Sequence, residues 1–439
     1  MPAPVTSEDR APRKLRRVVS RRMLFFFILG DILGGGIYAL VGVVAGKVGG
    51  AIWVPFLVAL LLATLTAGSY AELVTKYPRA GGAALYAKKA FQHPLVAFLI
   101  AFAVMASGVT SASALARAFG GNYLADFVTV PVEVAALAFI AALAVVNFIG
   151  IVISVRLNVV LTLVELGGLA LVVIVGVAAL LNGEGEPGRA VEFKEGTATA
   201  LAVLAGTALA FYALIGFEDS VNIAEETIRP ERSYPPALFA GLATAGAVYL
   251  AVTLVASMVV PTERLQASTG ALLEVVQVGP LAVPTRLFSA IGLMALTNGA
   301  LINLIMASRL LYGMAQEGVM HSSFGRLSGR ETPWVAIVFT ASIAAGLTLT
   351  GDLGALADTT VLLLLGVFIS VNVAALVLRR DRVAHQHFVV PFVVPLLGIA
   401  ACSVVMTQID WVTWLRAGAL LCLGLGLWGI QAIAARSDD

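Results

Sequence analysis

The residues of this chain that are best suited to chemistry lie inside apolar stretches. The segment GDILGGGIYALVG places Asp31 shortly before Gly34, Gly35 and Gly36. Each glycine weakens a helix by about 1 kcal/mol relative to alanine and also allows backbone conformations that other residues avoid. We therefore predict that the backbone unwinds here and leaves unpaired N–H and C=O groups beside a carboxylate.

A second segment of the same kind, FYALIGFEDSVNIAEE, carries Glu218 and Asp219 just after Gly216. A carboxylate at the centre of a bilayer costs several kcal/mol unless it faces a cavity or a partner. Two adjacent carboxylates in an apolar stretch therefore predict a wet or protein-lined environment. Two such segments together suit a small zwitterion, because free N–H groups bind a carboxylate and free carbonyl groups accept from an ammonium.

The overall composition requires a membrane around these segments. Of the 439 residues, 59% are hydrophobic and only 12% are charged, which is about half the charged fraction of a soluble chain. Such a chain cannot cover a water-facing surface, so soluble enzymes, disordered proteins and nucleic-acid binders are excluded. The two cysteines, Cys402 and Cys422, lie in apolar stretches and are predicted to be buried thiols without a disulfide.

Twelve apolar stretches approach the length that a helix needs to cross about 30 Å of hydrocarbon. They are continuous rather than alternating, which favours helices over barrel strands. The chain is therefore predicted to be an all-α polytopic membrane protein with 12 transmembrane helices. The predicted spans are 24–46, 52–74, 94–117, 132–151, 158–181, 198–224, 236–260, 284–314, 334–350, 357–378, 388–408 and 412–434.

Basic residues predict the orientation of these spans. With both termini in the cytoplasm, 21 of the 28 Lys and Arg residues fall on the cytoplasmic side, in line with the positive-inside bias. We therefore expect a multi-pass protein of the cytoplasmic membrane. The basic tail is assigned to topology and lipid attraction rather than to nucleic acid; its charges are Arg10, Arg13, Lys14, Arg16, Arg17, Arg21 and Arg22.

The two unusual segments lie in the first and sixth predicted spans. Because five is an odd number of spans, the second segment would run in the opposite direction through the membrane. This is the signature of an inverted repeat whose broken helices cross at mid-membrane. The predicted units are a tail over 1–22, two five-helix repeats over 23–182 and 183–378, and helices 11 and 12 over 379–439.

The sequence resembles the amino acid–polyamine–organocation (APC) superfamily, with its LeuT-like five-plus-five fold, and most of all its cationic amino acid transporter branch. Besides the two segments above, YPRAGGAALYAKKAF at 77–91 and ASRLLYGMAQEG at 307–318 carry the resemblance. The resemblance implies a secondary active transporter of amino acids that works by alternating access. It further implies that the first span binds the substrate carboxylate and the sixth its amino group, with Tyr212 as a gate; the residues concerned are Leu33, Gly34, Gly35, Gly36, Ile37, Phe211, Tyr212, Ala213 and Ile215.

One position departs from the family pattern. Relatives that work without sodium often carry a lysine in the fifth span, where LTLVELGG places Glu165 in this chain. A carboxylate cannot replace that positive charge, but it could carry a proton itself or attract a cation. We therefore expect H⁺ as the coupling ion, with Na⁺ coupling and exchange as alternatives. The candidate coupling residues are Asp31, Glu165, Glu218 and Asp219.

Other polar residues inside the spans are candidates to line the pathway, although hydrogen bonds between helices explain them equally well. These residues are Ser107, Thr110, Ser111 and Asn298. No spacing predicts a metal site, a nucleotide-binding loop or a catalytic constellation, so no cofactor and no enzymatic activity are expected. The predicted partners are a small-molecule amino acid and the lipid bilayer, without nucleic acid or an obligatory protein partner.

Two alternatives stay open. A polyamine or another organic cation is an alternative substrate, because the four carboxylates supply more negative charge than a neutral amino acid needs. A substrate-sensing membrane receptor is an alternative of a different class, since it would use the same scaffold for binding without net transport.

Overall fold

The computed structural model describes residues 17–79, 81–149, 155–329 and 332–437, and this part of the chain is helical. Four short 3-10 helices and two isolated β-bridges complete the regular structure of these residues. The α-helices are α1 Arg21–Ile32, α2 Gly36–Val48, α3 Trp53–Lys76, α4 Gly82–Phe91, α5 Pro94–Phe119, α6 Asn122–Ala125, α7 Val132–Ile149, α8 Val155–Leu181, α9 Thr199–Ala213, α10 Pro230–Val259, α11 Thr262–Ala267, α12 Ala271–Val278, α13 Thr285–Gln316, α14 Trp334–Thr350, α15 Leu353–Val377, α16 Val393–Met406 and α17 Trp411–Ser437.

Each of the twelve predicted stretches contains an apolar helix. Among the described residues, eight helices are individually long and apolar enough to cross a membrane, and α1 and α2 together form a ninth candidate. The other three, α9, α14 and α16, are apolar but have only 15, 17 and 14 residues. The chain is therefore a multi-pass membrane protein.

The helix of the first predicted span is interrupted. It ends at Ile32, resumes at Gly36 and bends by 42° at this break. The sixth predicted span also stops early, because α9 ends at Ala213 and irregular backbone leads to a 3-10 helix over Asp219–Glu226. Within that irregular backbone Gly216 has a φ of +122°, a conformation open mainly to glycine.

The contacts between helices fall into two matching sets. The helix α1 packs on α10 and α8, and correspondingly α9 packs on α3 and α15. In the same way α5 packs on α7, α14 and α15, while α13 packs on α14, α7 and α8. The pairs α2 with α9, α3 with α10, α5 with α13 and α7 with α14 join the two sets. Exchanging the two sets therefore maps each of these pairs onto another pair in contact.

Two shorter helices, α4 and α12, correspond to each other in the two sets. The helix α4 contacts α5, α15 and the 3-10 helix 219–226, whereas α12 contacts α13, α8 and α2. The helices α16 and α17 pack on α15 together with α3 or α5, and they have no counterparts. Cys402 on α16 is buried, but the prediction of a buried thiol is wrong for Cys422, which is exposed because α17 packs on the bundle along one face only.

The start of α1 is fastened to the segment that follows the 3-10 helix 219–226. The amides of Val18 and Val19 both donate to the carbonyl oxygen of Glu226 over 2.9 Å, and the Ile228 amide donates to the Val19 carbonyl oxygen over 2.9 Å. The start of α1 is therefore near α4, because this 3-10 helix also contacts α4; this end of the bundle is called the α4 face below. The predicted tail charges Arg10, Arg13, Lys14 and Arg16 lie outside the described residues.

Candidate functional site

A cavity of about 360 Å³ lies where the two interrupted helices meet. Its wall includes Gly34, Gly35 and Gly36 from the first break, residues 212–216 from the second except Leu214, and side chains of α5 and α13. This volume is within the usual range for small-molecule sites. The cavity therefore combines irregular backbone from both breaks with side chains from two long helices.

Glycine allows the two breaks to touch. A Cβ atom on Gly36 would lie 2.9 Å from the Cα of Ala213, and one on Gly216 would lie 2.8 Å from the carbonyl carbon and oxygen of Asp31. A Cβ on Gly35 would lie 3.0 Å from the Cα of Leu296 on α13. A larger residue at Gly36 or Gly216 would force the backbones of the two breaks apart. The close approach of the two breaks therefore requires glycine at both positions.

Carboxylates dominate the charge of the cavity. Asp31, Glu218 and Asp219 line it, and of the described lining residues Arg309 alone is cationic. The Gly216 amide donates to Glu218 Oε2 over 2.9 Å, whereas Asp31 Oδ2 is buried without a hydrogen-bond partner. This balance favours ligands that carry an amine. No group of three or more His, Cys, Asp or Glu in the described part of the chain is arranged to hold a metal ion.

Tyr212, the predicted gate, is tied to α5. Its hydroxyl lies 2.8 Å from Ser111 Oγ and donates to the Ser111 carbonyl oxygen over 3.2 Å, so it accepts its second hydrogen bond from the serine hydroxyl. The end of α9 is thus linked to α5 at the cavity wall. Any movement of Tyr212 must therefore either break these hydrogen bonds or move Ser111 together with it.

We expect Tyr212→Phe to lower the melting temperature in detergent more than Ser111→Ala does. The phenylalanine removes both hydrogen bonds, about 0.5–1.5 kcal/mol each, whereas the alanine leaves the bond to the backbone carbonyl in place. The double variant should melt close to Tyr212→Phe alone, because the two side chains share one interaction. Strictly additive shifts would contradict the link.

The structure brings most of the predicted site residues to the cavity and leaves five away from its surface. Leu33 and Ile37 are buried in the core, Phe211 packs on Phe368 with ring centroids 5.9 Å apart, and Thr110 donates to the Ala106 carbonyl oxygen. The fifth is Glu165, described below. Those at the cavity are Asp31, Gly34, Gly35, Gly36, Ser107, Ser111, Tyr212, Ala213, Ile215, Glu218, Asp219 and Asn298.

Glu165 lies one layer behind the cavity wall. It is 1% exposed, and its Oε1 accepts a hydrogen bond of 3.1 Å from Nδ2 of Asn298, which does line the cavity. The Tyr38 hydroxyl donates to the Glu165 carbonyl oxygen over 2.8 Å. Glu165 therefore reaches the cavity through Asn298 rather than directly.

Sequence reasoning missed several lining residues, among them Tyr70, Met105, Arg309 and Thr360. Tyr70 is buried and makes edge contacts with Phe217 and Phe368, both with centroids 5.9 Å apart. Tyr70, Met105 and Thr360 carry no local signal, because an aromatic, a methionine or a threonine in an apolar helix is equally typical of a packed core. Only tertiary packing directs them to one cavity.

The lining of the cavity reaches α4 but not α12. Gly81 and Gly82 at the start of α4 line it on one side. On the other side Tyr38, Tyr123 and Phe288 form a fully buried cluster with centroids 6.2–6.4 Å apart. The Tyr123 hydroxyl donates to the Tyr38 carbonyl oxygen over 3.1 Å. The described lining residues therefore include the start of α4 but none from α12.

A model of the amino acid permease family matches residues 20–415. The chain belongs to this family, within the APC superfamily. The match covers both helix breaks and every helix that lines the cavity. The expectation drawn from the sequence motifs is therefore confirmed at the level of the family.

Relatives of this permease are transporters. It is 27% identical to the methylthioribose transporter of Bacillus subtilis (strain 168) over 96% of this chain and 95% of the relative. It is 24% identical to the branched-chain amino acid permease BcaP of the same organism, over 94% and 92%. It is also 27% identical to mouse cationic amino acid transporter 4, over 85% of this chain but only 62% of that longer protein.

Proposed function

We propose that this permease is a secondary active transporter that moves amino acids across the cytoplasmic membrane by alternating access, coupled to protons. The observation that carries the proposal is the cavity at the contact between two interrupted helices. Interrupted helices present free N–H and C=O groups that a zwitterion can use, and they occur at substrate sites in inverted-repeat transporters.

The proposal includes twelve spans arranged as an inverted repeat, residues 23–182 and 183–378, with two additional helices. Its support is the matching of contacts between α1 to α8 and α9 to α15. The three shorter apolar helices α9, α14 and α16 complete the twelve, and α9 with its 3-10 extension forms the sixth span. The two breaks lie in spans one and six, which are five spans apart, so the halves run in opposite directions through the bilayer.

An amino acid is the substrate that suits the cavity best. In this proposal the amides of the first break bind its carboxylate, and the carbonyl groups at residues 211–215 together with the carboxylates bind its amino group. Two of the relatives have names that specify branched-chain or cationic amino acids. A polyamine is the second candidate, because Asp31, Glu218 and Asp219 all line the cavity.

The proposed orientation puts the α4 face in the cytoplasm. The start of α1 is hydrogen-bonded to the segment beside this face, and the basic residues that precede α1 in the sequence favour the cytoplasmic side. The cavity extends toward the same face. This conformation would therefore be the one that exchanges substrate with the cytoplasm, and the aromatic cluster of Tyr38, Tyr123 and Phe288 would have to open for access from outside.

The first experiment is uptake of a labelled amino acid mixture by proteoliposomes that contain the purified protein. We expect saturable uptake that an inward proton gradient increases. Saturable uptake at the same rate with and without the proton gradient would overturn proton coupling and leave exchange or sodium coupling as the alternatives. No uptake above protein-free liposomes by folded protein would contradict amino acid transport, and labelled putrescine would then test the polyamine alternative.

A further inference from the structure

We propose that Glu165 holds a proton on Oε2 and donates it to Oδ1 of Asn298, so that the two side chains form a closed acid–amide pair beside the cavity. The coupling role of this pair rests on the proposed function, but the bound proton does not. Binding or loss of the proton at this pair would change which hydrogen-bond acceptors the wall of the substrate cavity presents.

Each of the two side chains has one oxygen atom without a hydrogen-bond partner. Asn298 Nδ2 donates to Glu165 Oε1 over 3.1 Å. The other two oxygens, Glu165 Oε2 and Asn298 Oδ1, are both buried and both lack a hydrogen-bond partner. Two oxygens cannot bond each other without a hydrogen between them. One proton on Oε2 supplies that hydrogen and satisfies both atoms at once.

Burial favours the neutral acid over the carboxylate. Glu165 and Asn298 are 1% and 4% exposed, respectively. None of the four ion pairs among the described residues includes Glu165. A buried carboxylate without a cationic partner is costly, and so is each buried oxygen left unbonded. Binding of a proton removes the charge, and a hydrogen bond from Oε2 to Oδ1 would also satisfy both oxygens.

The neighbouring titratable groups supply no positive charge. The helix α8 packs on α1, α10, α12 and α13. Asp31 from α1, Tyr249 from α10 and Tyr38 from α2 interact electrostatically with Glu165, and none of the three is cationic. On α12, Glu274 is paired with Arg264. On α13, Asn298 is the hydrogen-bonding partner itself, and the cations Arg286 and Arg309 lie 12 and 11 residues away along the helix, about 16–18 Å at 1.5 Å per residue.

Asn298 contacts both the proposed proton site on Glu165 and the substrate cavity. It lines the cavity, and a Cβ on the next residue, Gly299, would lie 3.4 Å from the Gly35 amide nitrogen at the first break. With the proton bound, the amide oxygen of Asn298 is occupied by Glu165. Loss of the proton frees that oxygen, so the acceptors available at the wall change with protonation.

Infrared spectroscopy of the purified protein at neutral pH tests the pair without any substrate. We expect a carboxylic acid C=O band that Glu165→Gln removes. Asn298→Ala should shift this band to higher frequency, because the carbonyl loses its hydrogen bond from Nδ2. Glu133→Gln, at an exposed carboxylate 2.7 Å from Arg117, is the matched control and should leave the band unchanged.

A band that is the same in Glu165→Gln and the wild type would overturn the proposal. So would a band that disappears when sodium replaces choline in the buffer, since a metal cation would then occupy the two oxygens. If Glu165→Gln does not fold, the infrared band of Asn298→Ala is the test. A band at the wild-type frequency in that variant would overturn the proposed pair.

Uptake by proteoliposomes distinguishes this proposal from proton coupling itself. If a gradient drives uptake by the wild type, Glu165→Gln, which lies behind the cavity wall, should lose the response to the gradient while retaining exchange of labelled amino acid; a retained response would overturn the coupling role of the pair. If the gradient does not drive uptake by the wild type, the proposed proton coupling fails, while the infrared band still decides whether Glu165 holds a proton.

Discussion

Gly216→Ala should reduce amino acid uptake to the level of protein-free liposomes. The new Cβ would lie 2.8 Å from the carbonyl carbon and oxygen of Asp31, and the backbone at this position has a φ of +122°. Strain of this kind costs on the order of 1–3 kcal/mol, and the steric overlap adds to it. Because Gly216 and Asp31 both line the cavity, the two breaks would separate at the proposed substrate site.

Gly366→Ala is the matched control for this variant. Gly366 lies within α15, and a Cβ there would meet no atom within 4 Å. The control should transport as the wild type does and melt at the same temperature or slightly higher, since alanine is the better helix former. Wild-type uptake by Gly216→Ala would show that the contact between the two breaks is not needed for transport.

The sequence was sufficient to predict the apolar helices and the position of the first break, for two physical reasons. A helix that crosses a bilayer must be apolar over most of its length, and three successive glycines destabilise a helix by about 3 kcal/mol relative to alanine. The structure accordingly ends α1 at Ile32 and begins α2 at Gly36. A different signal, two adjacent carboxylates after Gly216, marked the segment that follows α9.

The sequence could not predict which side chains share the cavity. Glu165 and Ser107 are both polar residues inside apolar helices, yet Ser107 lines the cavity and Glu165 lies behind Asn298. The difference depends on the rotation of each helix against its neighbours. When a helix is apolar all round, its sequence carries little information about that rotation.

Three segments are held together on the α4 face by one carboxylate. Glu72 at the end of α3 accepts from Nε and Nη2 of Arg379 over 3.1 and 2.9 Å, and from the Val390 amide over 3.0 Å. Arg379 also donates to the Val390 carbonyl oxygen over 2.6 Å. The side chain of Glu72 is 2% exposed and that of Arg379 is 23% exposed. This pair therefore connects the ends of α3 and α15 to the chain that enters α16.

Glu72→Ala should destabilise the protein by about 3 kcal/mol, the low end of the range for breaking a buried ion pair, because Arg379 retains some contact with solvent. The measurement is the melting temperature in detergent, compared with that of Glu133→Ala, which removes an exposed partner of Arg117 and should change it little. Arg379→Lys should fall between the two, since lysine keeps the charge but cannot bind both carboxylate oxygens in the fork geometry of arginine. Equal shifts for Glu72→Ala and Glu133→Ala would mean that the buried carboxylate does not hold these three segments together.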